Sequence, residues 1–244
     1  MTEKPLIIAG PCSVDTEYRF KSTLDYLLKY DIKYIRVGLH KPRTSPHSFQ
    51  GLGEQAYNYI SQLKKTTPFV VVSEILSESD FAGMDTFVDI YQVGSRNMDN
   101  YNLLKYLSKN TTKPVLLKRG ASATVSEYLS AADYLNQTKA NNTYLCLRGI
   151  RTFEQIDSVA MRNTPDLATI LTLKDHTPLP ILFDPSHSTG NYRYVNDVAR
   201  AALVLGADGL MIETCTNPET ALCDGQQSLN QQQFHRLLEQ INYF

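Results

Sequence analysis

Eight short runs rich in β-branched and aromatic residues, each separated from the next by enough chain for a crossover, restrict most sharply what this sequence can fold into. They are Leu6 to Gly10, Tyr34 to Gly38, Phe69 to Ile75, Ile90 to Gly94, Val115 to Arg119, Tyr144 to Gly149, Ile181 to Asp184 and Gly209 to Glu213. Between them, the segments Glu17 to Tyr30, Glu54 to Lys65, Asn100 to Lys109, Thr124 to Lys139, Tyr192 to Leu205 and Gln231 to Ile241 space leucines and alanines three or four residues apart. That is the period of a helix with one buried face. Strands that alternate with helices pair in parallel, because each helix returns the chain to the start of the next strand.

Eight such units predict an α/β fold, a (β/α)8 TIM barrel, as a single domain over residues 1–244. A doubly wound sheet would use fewer strands and favour a glycine-rich dinucleotide loop after the first, and Gly10-Pro11-Cys12-Ser13 is no such loop. A formal net charge of −1 gives no reason to expect nucleic acid or an anionic membrane as partner. No apolar stretch approaches the roughly 18 residues of a membrane span, and the first ten residues have neither signal-peptide nor transit-peptide character. A cytoplasmic protein is expected, with Cys12, Cys146, Cys215 and Cys223 reduced, since they are far apart in sequence and a chain this large needs no disulfide staples.

In a barrel of this kind the chemistry sits at the carboxyl ends of the strands. Here those ends are polar: Cys12; Arg36 with Lys41 and Arg43; Glu74; Gln92 with Arg96; Lys118 with Arg119; Arg148; Asp184 with His187; and Glu213, followed by Asp224. Seven of these are cations, Arg36, Lys41, Arg43, Arg96, Lys118, Arg119 and Arg148, expected at one mouth. The loop Lys41-Pro42-Arg43-Thr44-Ser45-Pro46 is stiffened by its two prolines, and Arg can grip phosphate oxygens bidentately while Lys acts as a point charge. So many cations exceed the needs of one phosphate, which points to two phosphorylated ligands, or one phosphate and one phosphocarboxylate, bound together; the alternative is structural ion pairing with Glu74, Asp184 and Glu213. Cys12, His187, Glu213 and Asp224 bring a thiolate, an imidazole and two carboxylates together, a mixture suited to a borderline divalent ion (Mn, Fe, Zn or Co) rather than to Mg or Ca. Spacing alone leaves a structural role open for them. His40, His47, His176 and His235 have no companion ligand at metal spacing and read as structural or surface residues.

These strand ends fall within longer motifs: Gly10-Pro11-Cys12-Ser13, Lys41-Pro42-Arg43-Thr44-Ser45-Pro46, Ser48-Phe49-Gln50-Gly51-Leu52-Gly53, Gln92-Val93-Gly94-Ser95-Arg96-Asn97, Leu116-Leu117-Lys118-Arg119-Gly120, Arg148-Gly149-Ile150-Arg151-Thr152 and Asp184-Pro185-Ser186-His187-Ser188. In order and in sequence they resemble the 3-deoxy-D-arabino-heptulosonate 7-phosphate (DAHP) synthases of the type I beta class, in the form of a catalytic barrel without a regulatory domain. The resemblance implies a transferase that condenses phosphoenolpyruvate with erythrose 4-phosphate at the first step of the shikimate pathway. It implies that Arg96, Lys118 and Arg148 hold phosphoenolpyruvate with Arg36 and Lys41 nearby, and that Arg43 and Thr44 reach erythrose 4-phosphate. It also implies that a divalent metal is held by Cys12, His187, Glu213 and Asp224. Glu74 is then a candidate for handling the attacking water, and Lys41 and His187 are both candidates for proton transfer. A homo-oligomer (dimer or tetramer) is expected, chorismate mutase stays open as a partner, and the isolated protein is expected to be insensitive to phenylalanine and tyrosine.

The sequence departs from the family pattern at Leu147, where many members carry Glu, at Ala123, where Asn is usual, and at Cys223, where Ser is common. Three rivals accompany the resemblance. One is 3-deoxy-manno-octulosonate 8-phosphate synthase, using arabinose 5-phosphate, whose loop usually reads Lys-Ala-Asn-Arg-Ser where this chain has Lys41-Pro42-Arg43-Thr44-Ser45. Another is a Schiff-base aldolase with Lys118 as nucleophile. The third is a barrel that serves mainly as a chorismate mutase partner.

Overall fold

The computed structural model describes residues 4–41, 45, 47–137, 142–153 and 162–244. Eight parallel strands close into one barrel in chain order: β1 (Leu6–Gly10), β2 (Tyr34–Arg36), β3 (Val70–Glu74), β4 (Ile90–Val93), β5 (Val115–Lys118), β6 (Thr143–Leu147), β7 (Ile181–Phe183) and β8 (Gly209–Glu213), with β8 paired back to β1. The helices are α1 (Glu17–Lys29), α2 (Tyr57–Thr66), α3 (Phe81–Met84), α4 (Tyr101–Asn110), α5 (Val125–Leu135), α6 (Ala168–His176), α7 (Pro185–Thr189), α8 (Tyr192–Val204) and α9 (Gln231–Gln240). Among the described residues no helix is long and apolar enough to cross a membrane.

The predicted strands β1 and β8 agree with the structure to the residue, whereas β2 to β7 end one or two residues earlier because the ladder stops where the loop turns away. The helix predicted from Glu54 opens as a 3-10 turn over Gly53–Ala56, and the one predicted to Lys139 ends at Leu135, capped by Asn136; Lys139 lies outside the described residues. Three helices were not anticipated: α3 is one turn, α7 has five residues, and α6 has only a weakly amphipathic pattern.

Side chains alternate across each strand, so every second residue enters the barrel. Ile8, Val72, Ile90, Leu116, Cys146, Leu182 and Met211 form the small inner core, with Leu6, Tyr34, Val70 and Tyr144 below them. Their neighbours Ile7, Ala9, Ile35, Val71, Tyr91, Leu117, Leu145 and Phe183 pack outward against the helices in the larger core. One step further along, the same inward rows become polar. Arg36, Glu74, Gln92, Lys118, Arg148, Asp184 and Glu213 stand at the same parity as the inner core, above its apolar layer.

The same alternation corrects the expectation that Arg119 joins the cations of the mouth. Lys118 lies inside, its Nζ near Met211 Sδ, whereas Arg119 turns outward. There its guanidinium meets Asp166 Oδ2 at 2.7 Å and donates to the Ala123 carbonyl, tying the β5 loop to the segment before α6.

Candidate active site

A cavity of about 280 Å³ opens at the carboxyl end of the barrel, with Arg36, Lys41, Glu74, Arg96, Lys118, Arg148, His187 and Asp224 in its wall. Arg43 and Thr44, expected at its sugar-phosphate end, lie outside the described residues.

Two of the cations face carboxylates. Arg36 forms a buried ion pair with Glu213, and Lys118 one with Asp184. The structural pairing weighed in the sequence analysis therefore holds for these two, and Lys118 is held against Asp184 rather than presented as the bare amine a Schiff base requires. Arg148 differs. Among the described residues its guanidinium donates from Nη2 to the His187 carbonyl at 3.3 Å, its Nε has no partner, and it forms no ion pair. Burial, with Arg162 and Arg96 close by, brings its guanidinium down to about 10. A cation in that state is set up for an anion to complete it.

Gly149 follows Arg148 at φ +76, where a Cβ would lie 2.7 Å from both Ser188 Oγ and the Thr164 carbonyl. Only glycine lets the β6 loop turn this tightly against α7. Gly94 plays a comparable part beside Glu74: a Cβ there would sit 1.9 Å from Glu74 Oε1. Glu74 Oε2 accepts from Gln92 Nε2 at 3.2 Å, so the carboxylate leans over the end of β4 into the cavity.

One carboxylate organises the β7 end. Asp184 caps α7 by accepting from the His187 backbone N–H through Oδ1 (2.8 Å), while Oδ2 faces Lys118 Nζ and His187 Nδ1 (2.7 Å). Burial alone would raise Asp184, but His187 and Lys118 hold it well below the usual carboxylate range. Burial pushes His187 well below the ordinary imidazole value despite Asp184, so the ring is neutral. Its Nδ1 proton goes to Asp184, which leaves the Nε2 lone pair facing Glu213 Oε1 at 3.4 Å.

The four candidate metal ligands meet through Asp224, which lies close to Cys12 on one side and to His187 and Glu213 on the other. One donor atom each from His187, Glu213 and Asp224 lie within 4.8 Å of one another, and Cys12 Sγ is 3.1 Å from Asp224 Oδ2. Asp224 reaches this point from a left-handed backbone position (φ 51°, ψ 31°) in the loop after β8. Burial would raise its carboxyl, but His187, Arg162 and Cys12 pull it below the usual range. Burial also opposes ionisation of Cys12, yet the hydrogen bond from Cys223 together with Lys41 and Arg36 brings the thiol down to about 6. A metal takes such groups as thiolate, neutral imidazole and carboxylate.

Arg162 and Gln227 were not anticipated. Arg162 lines the cavity, 3.7 Å from Asp224 and 3.2 Å from Gln227 Oε1, and the buried Gln227 amide donates to Glu213. Neither stands at a strand end. Arg162 is brought in by pairing of loop to helix, Arg162 N to the Thr189 carbonyl (2.8 Å) and Asn163 N to that of Ser188 (2.9 Å). Of the other histidines, His40 bonds Tyr57 Oη at 2.6 Å, His176 the Thr172 carbonyl at 2.8 Å, and His235 stacks on Tyr30.

Residues 2–243 match the DAHP synthetase I family. The phospho-2-dehydro-3-deoxyheptonate aldolase of Thermotoga maritima is 42% identical over 235 residues, covering 96% of this chain and 68% of that protein. Its crystal structure has a TM-score of 0.89 to the present fold over 97% of this chain and 68% of that one. A truncated form of 3-deoxy-D-arabino-heptulosonate 7-phosphate synthase from T. maritima gives 0.86 at 37% identity, covering 97% of this chain and 84% of that one. The 2-dehydro-3-deoxyphosphooctonate aldolase of Agrobacterium fabrum is more distant, 28% identical over 263 residues, the whole of this chain and 90% of that protein.

Proposed function

This chain belongs to the DAHP synthetase I family, and we propose from that premise that it condenses phosphoenolpyruvate with erythrose 4-phosphate, giving 3-deoxy-D-arabino-heptulosonate 7-phosphate and inorganic phosphate at the first step of the shikimate pathway. The observation that carries this reading is Arg148, a cation facing the cavity without a carboxylate, beside Arg96 and Arg162.

Arg148, Arg96 and Lys118 hold the phosphate and carboxylate of phosphoenolpyruvate, with Arg36 and Lys41 next to them, and Arg43 and Thr44 take the phosphate of erythrose 4-phosphate. Fixing both anions turns C3 of phosphoenolpyruvate toward the aldehyde carbon and removes the entropy of finding that approach. The C3 electron pair forms the new carbon–carbon bond and leaves positive character at C2. Water adds at C2 as Glu74 accepts its proton, and the hemiketal phosphate then expels inorganic phosphate to leave the ketone. The proton for the aldehyde oxygen comes from Lys41. What supports Lys41 over His187 is that a neutral His187 ring giving its Nδ1 proton to Asp184 has none at Nε2 to donate.

The family is generally metal-dependent. Cys12, His187, Glu213 and Asp224 fit a borderline divalent ion (Mn, Fe, Zn or Co) in the mixed softness of their donors, with Asp224 close both to Cys12 and to the pair His187 and Glu213. Bound there, such an ion supplies Lewis acidity at the aldehyde oxygen. A cytoplasmic location, a dimer or tetramer, and association with a chorismate mutase complete the reading; light scattering with and without a mutase checks the last two.

The test is phosphate release with both substrates, with chelator, and after each metal is restored. Turnover with erythrose 4-phosphate that stops on chelation and returns with metal is the expected result. Preferential use of arabinose 5-phosphate would replace this reading with the octulosonate one.

A further inference from the structure

Arg162 stands in the cavity wall without a part in the reading above, yet the fold fixes its place closely. Its main chain is held on two sides. Arg162 N donates to the Thr189 carbonyl (2.8 Å), Asn163 N to that of Ser188 (2.9 Å) and Asn163 Nδ2 to that of His187 (2.8 Å), while Thr164 exchanges two backbone bonds with Ile150, each 2.9 Å. Gly190, which ends α7 at φ +67, makes room for the Arg162 stem, since a Cβ there would lie 2.4 Å from Arg162 Cβ. The base of the side chain is thereby set between the β6 loop and α7, on the Arg148 side of the cavity.

The guanidinium is anchored without being consumed. Nη1 donates to Gln227 Oε1 at 3.2 Å, and the fully buried Gln227 donates through Nε2 to Glu213, so the amide is held at both ends. A neutral amide orients a guanidinium without cancelling its charge. Asp224 Oδ2 is 3.7 Å from Nη1, beyond hydrogen-bond range. Of the five N–H donors of a guanidinium, the described residues take one, and the side chain is 36% exposed, so the others are open to what enters the cavity. After burial, Arg162 is the strongest influence that lowers Arg148, ahead of Arg96. The fold thus holds two like charges at one wall, an arrangement that a dianion between them would offset.

We propose that Arg162 joins Arg148 in clamping the phosphate of phosphoenolpyruvate, with Gln227 as the positioning residue that aims Arg162, and with the carboxylate of the substrate lying away from Arg162. This rests on the reading of the cavity given above and adds to it a phosphate ligand and its support. A phosphate dianion with three terminal oxygens accepts from two guanidinium forks, whereas the two oxygens of a carboxylate are met by a single fork or by a lysine. Arg148 alone offers one fork. Arg162 supplies the second from the opposite chain segment, so the two arginines meet the phosphate from the β6 end and from the strap before α6.

Isothermal titration calorimetry of inorganic phosphate, phosphoenolpyruvate and pyruvate into the full chain tests the clamp without turnover. Arg162→Gln should bind both phosphate-bearing ligands weaker by on the order of 10–100-fold, with pyruvate binding unchanged. Arg162→Lys, which keeps the charge and loses the fork, should recover part of that loss. Gln227→Leu should weaken phosphate by about 2–10-fold, and the double variant Arg162→Gln/Gln227→Leu should bind no more weakly than Arg162→Gln, because Gln227 acts only through Arg162. An Arg162→Gln protein with native circular dichroism that binds inorganic phosphate as tightly as wild type overturns the proposal, as does an equal loss toward pyruvate or a wild type that takes up neither phosphate ligand. Additive losses in the double variant overturn the role of Gln227. A phosphate-selective loss in Arg162→Gln upholds the clamp even where condensation fails, and an active enzyme whose phosphate affinity ignores Arg162 upholds the condensation reading while the clamp falls.

Discussion

Replacing Arg148 with methionine should stabilise the ligand-free protein while abolishing its grip on phosphoenolpyruvate. The guanidinium falls from an ordinary 12.5 to about 10, chiefly through burial and then through Arg162. At about 1.4 kcal/mol per decade, keeping it charged costs the fold about 3 kcal/mol. A lowered base binds fewer protons folded than unfolded only between those two values, so the full cost is present at every pH below about 10. Methionine keeps the stem as far as Nε and removes the charged head, giving up the long 3.3 Å bond to the His187 carbonyl, worth about 1.5 kcal/mol for a charged donor. The net gain is about 1.5 kcal/mol, or roughly 3–6 °C in Tm for a chain of this size. Differential scanning fluorimetry at pH 7.5 reads it directly. Adding phosphoenolpyruvate should reverse the ranking, since ligand at about 100 Kd stabilises wild type by about 2.7 kcal/mol and the variant by nothing. A natively folded Arg148→Met protein that melts at or below wild type without ligand would show that the fold already compensates this charge, and the argument from an uncompensated cation would fail.

Glu213→Gln should cost about 3–5 kcal/mol in urea unfolding, because Arg36 is left buried without its carboxylate; a loss below about 1 kcal/mol would mean that other groups satisfy Arg36. Gly94→Ala should displace the Glu74 carboxylate, since the new Cβ would lie 1.9 Å from Oε1. Turnover should then drop on the order of 10²-fold with little change in KM for phosphoenolpyruvate, and unchanged kcat would remove Glu74 from the water step. Arg119→Met should lower stability by about 1–3 kcal/mol through loss of Asp166 and the Ala123 carbonyl, with KM unaltered. Lys118→Met, one residue earlier but inside the barrel, should raise KM for phosphoenolpyruvate steeply, so equal effects on KM would contradict the facing of β5.

The barrel was legible because eight strand-like runs separated by crossovers admit few architectures, and the polar strand ends identified the cavity wall. Arg119 was misplaced for a reason the sequence already contained. Counting in twos from Leu116 brings Lys118 inward and sends Arg119 out, so treating the pair as one cationic end ignored the pleat. Arg162 carried no such signal, since its place depends on main-chain bonds to Thr189 and on contacts with Asp224 and Gln227 that spacing does not encode. Helix α7 was equally hidden: Pro-Ser-His-Ser-Thr has no apolar period, and it is helical because Asp184 caps it, Pro185 suits its first turn and Gly190 ends it in a left-handed conformation.

The division of the cations follows from the same geometry. Arg36 and Lys118 stand at inward positions facing carboxylates on the next strand but one, Glu213 and Asp184, so their charge is met within the fold and serves to orient those carboxylates toward His187. Arg148 stands one strand from Asp184, but Asp184 is already occupied at both oxygens by Lys118, the His187 ring and the His187 backbone N–H. Its neighbours Arg96 and Arg162 oppose its charge rather than balance it. An anion entering the cavity therefore meets cations that share their charge with a carboxylate at the β2 and β5 ends, and at the β6 end a cation set mainly against other cations. That asymmetry orients a ligand with two anionic groups, and it arises from which inward positions face Asp or Glu two strands away, not from the number of cations the sequence carries.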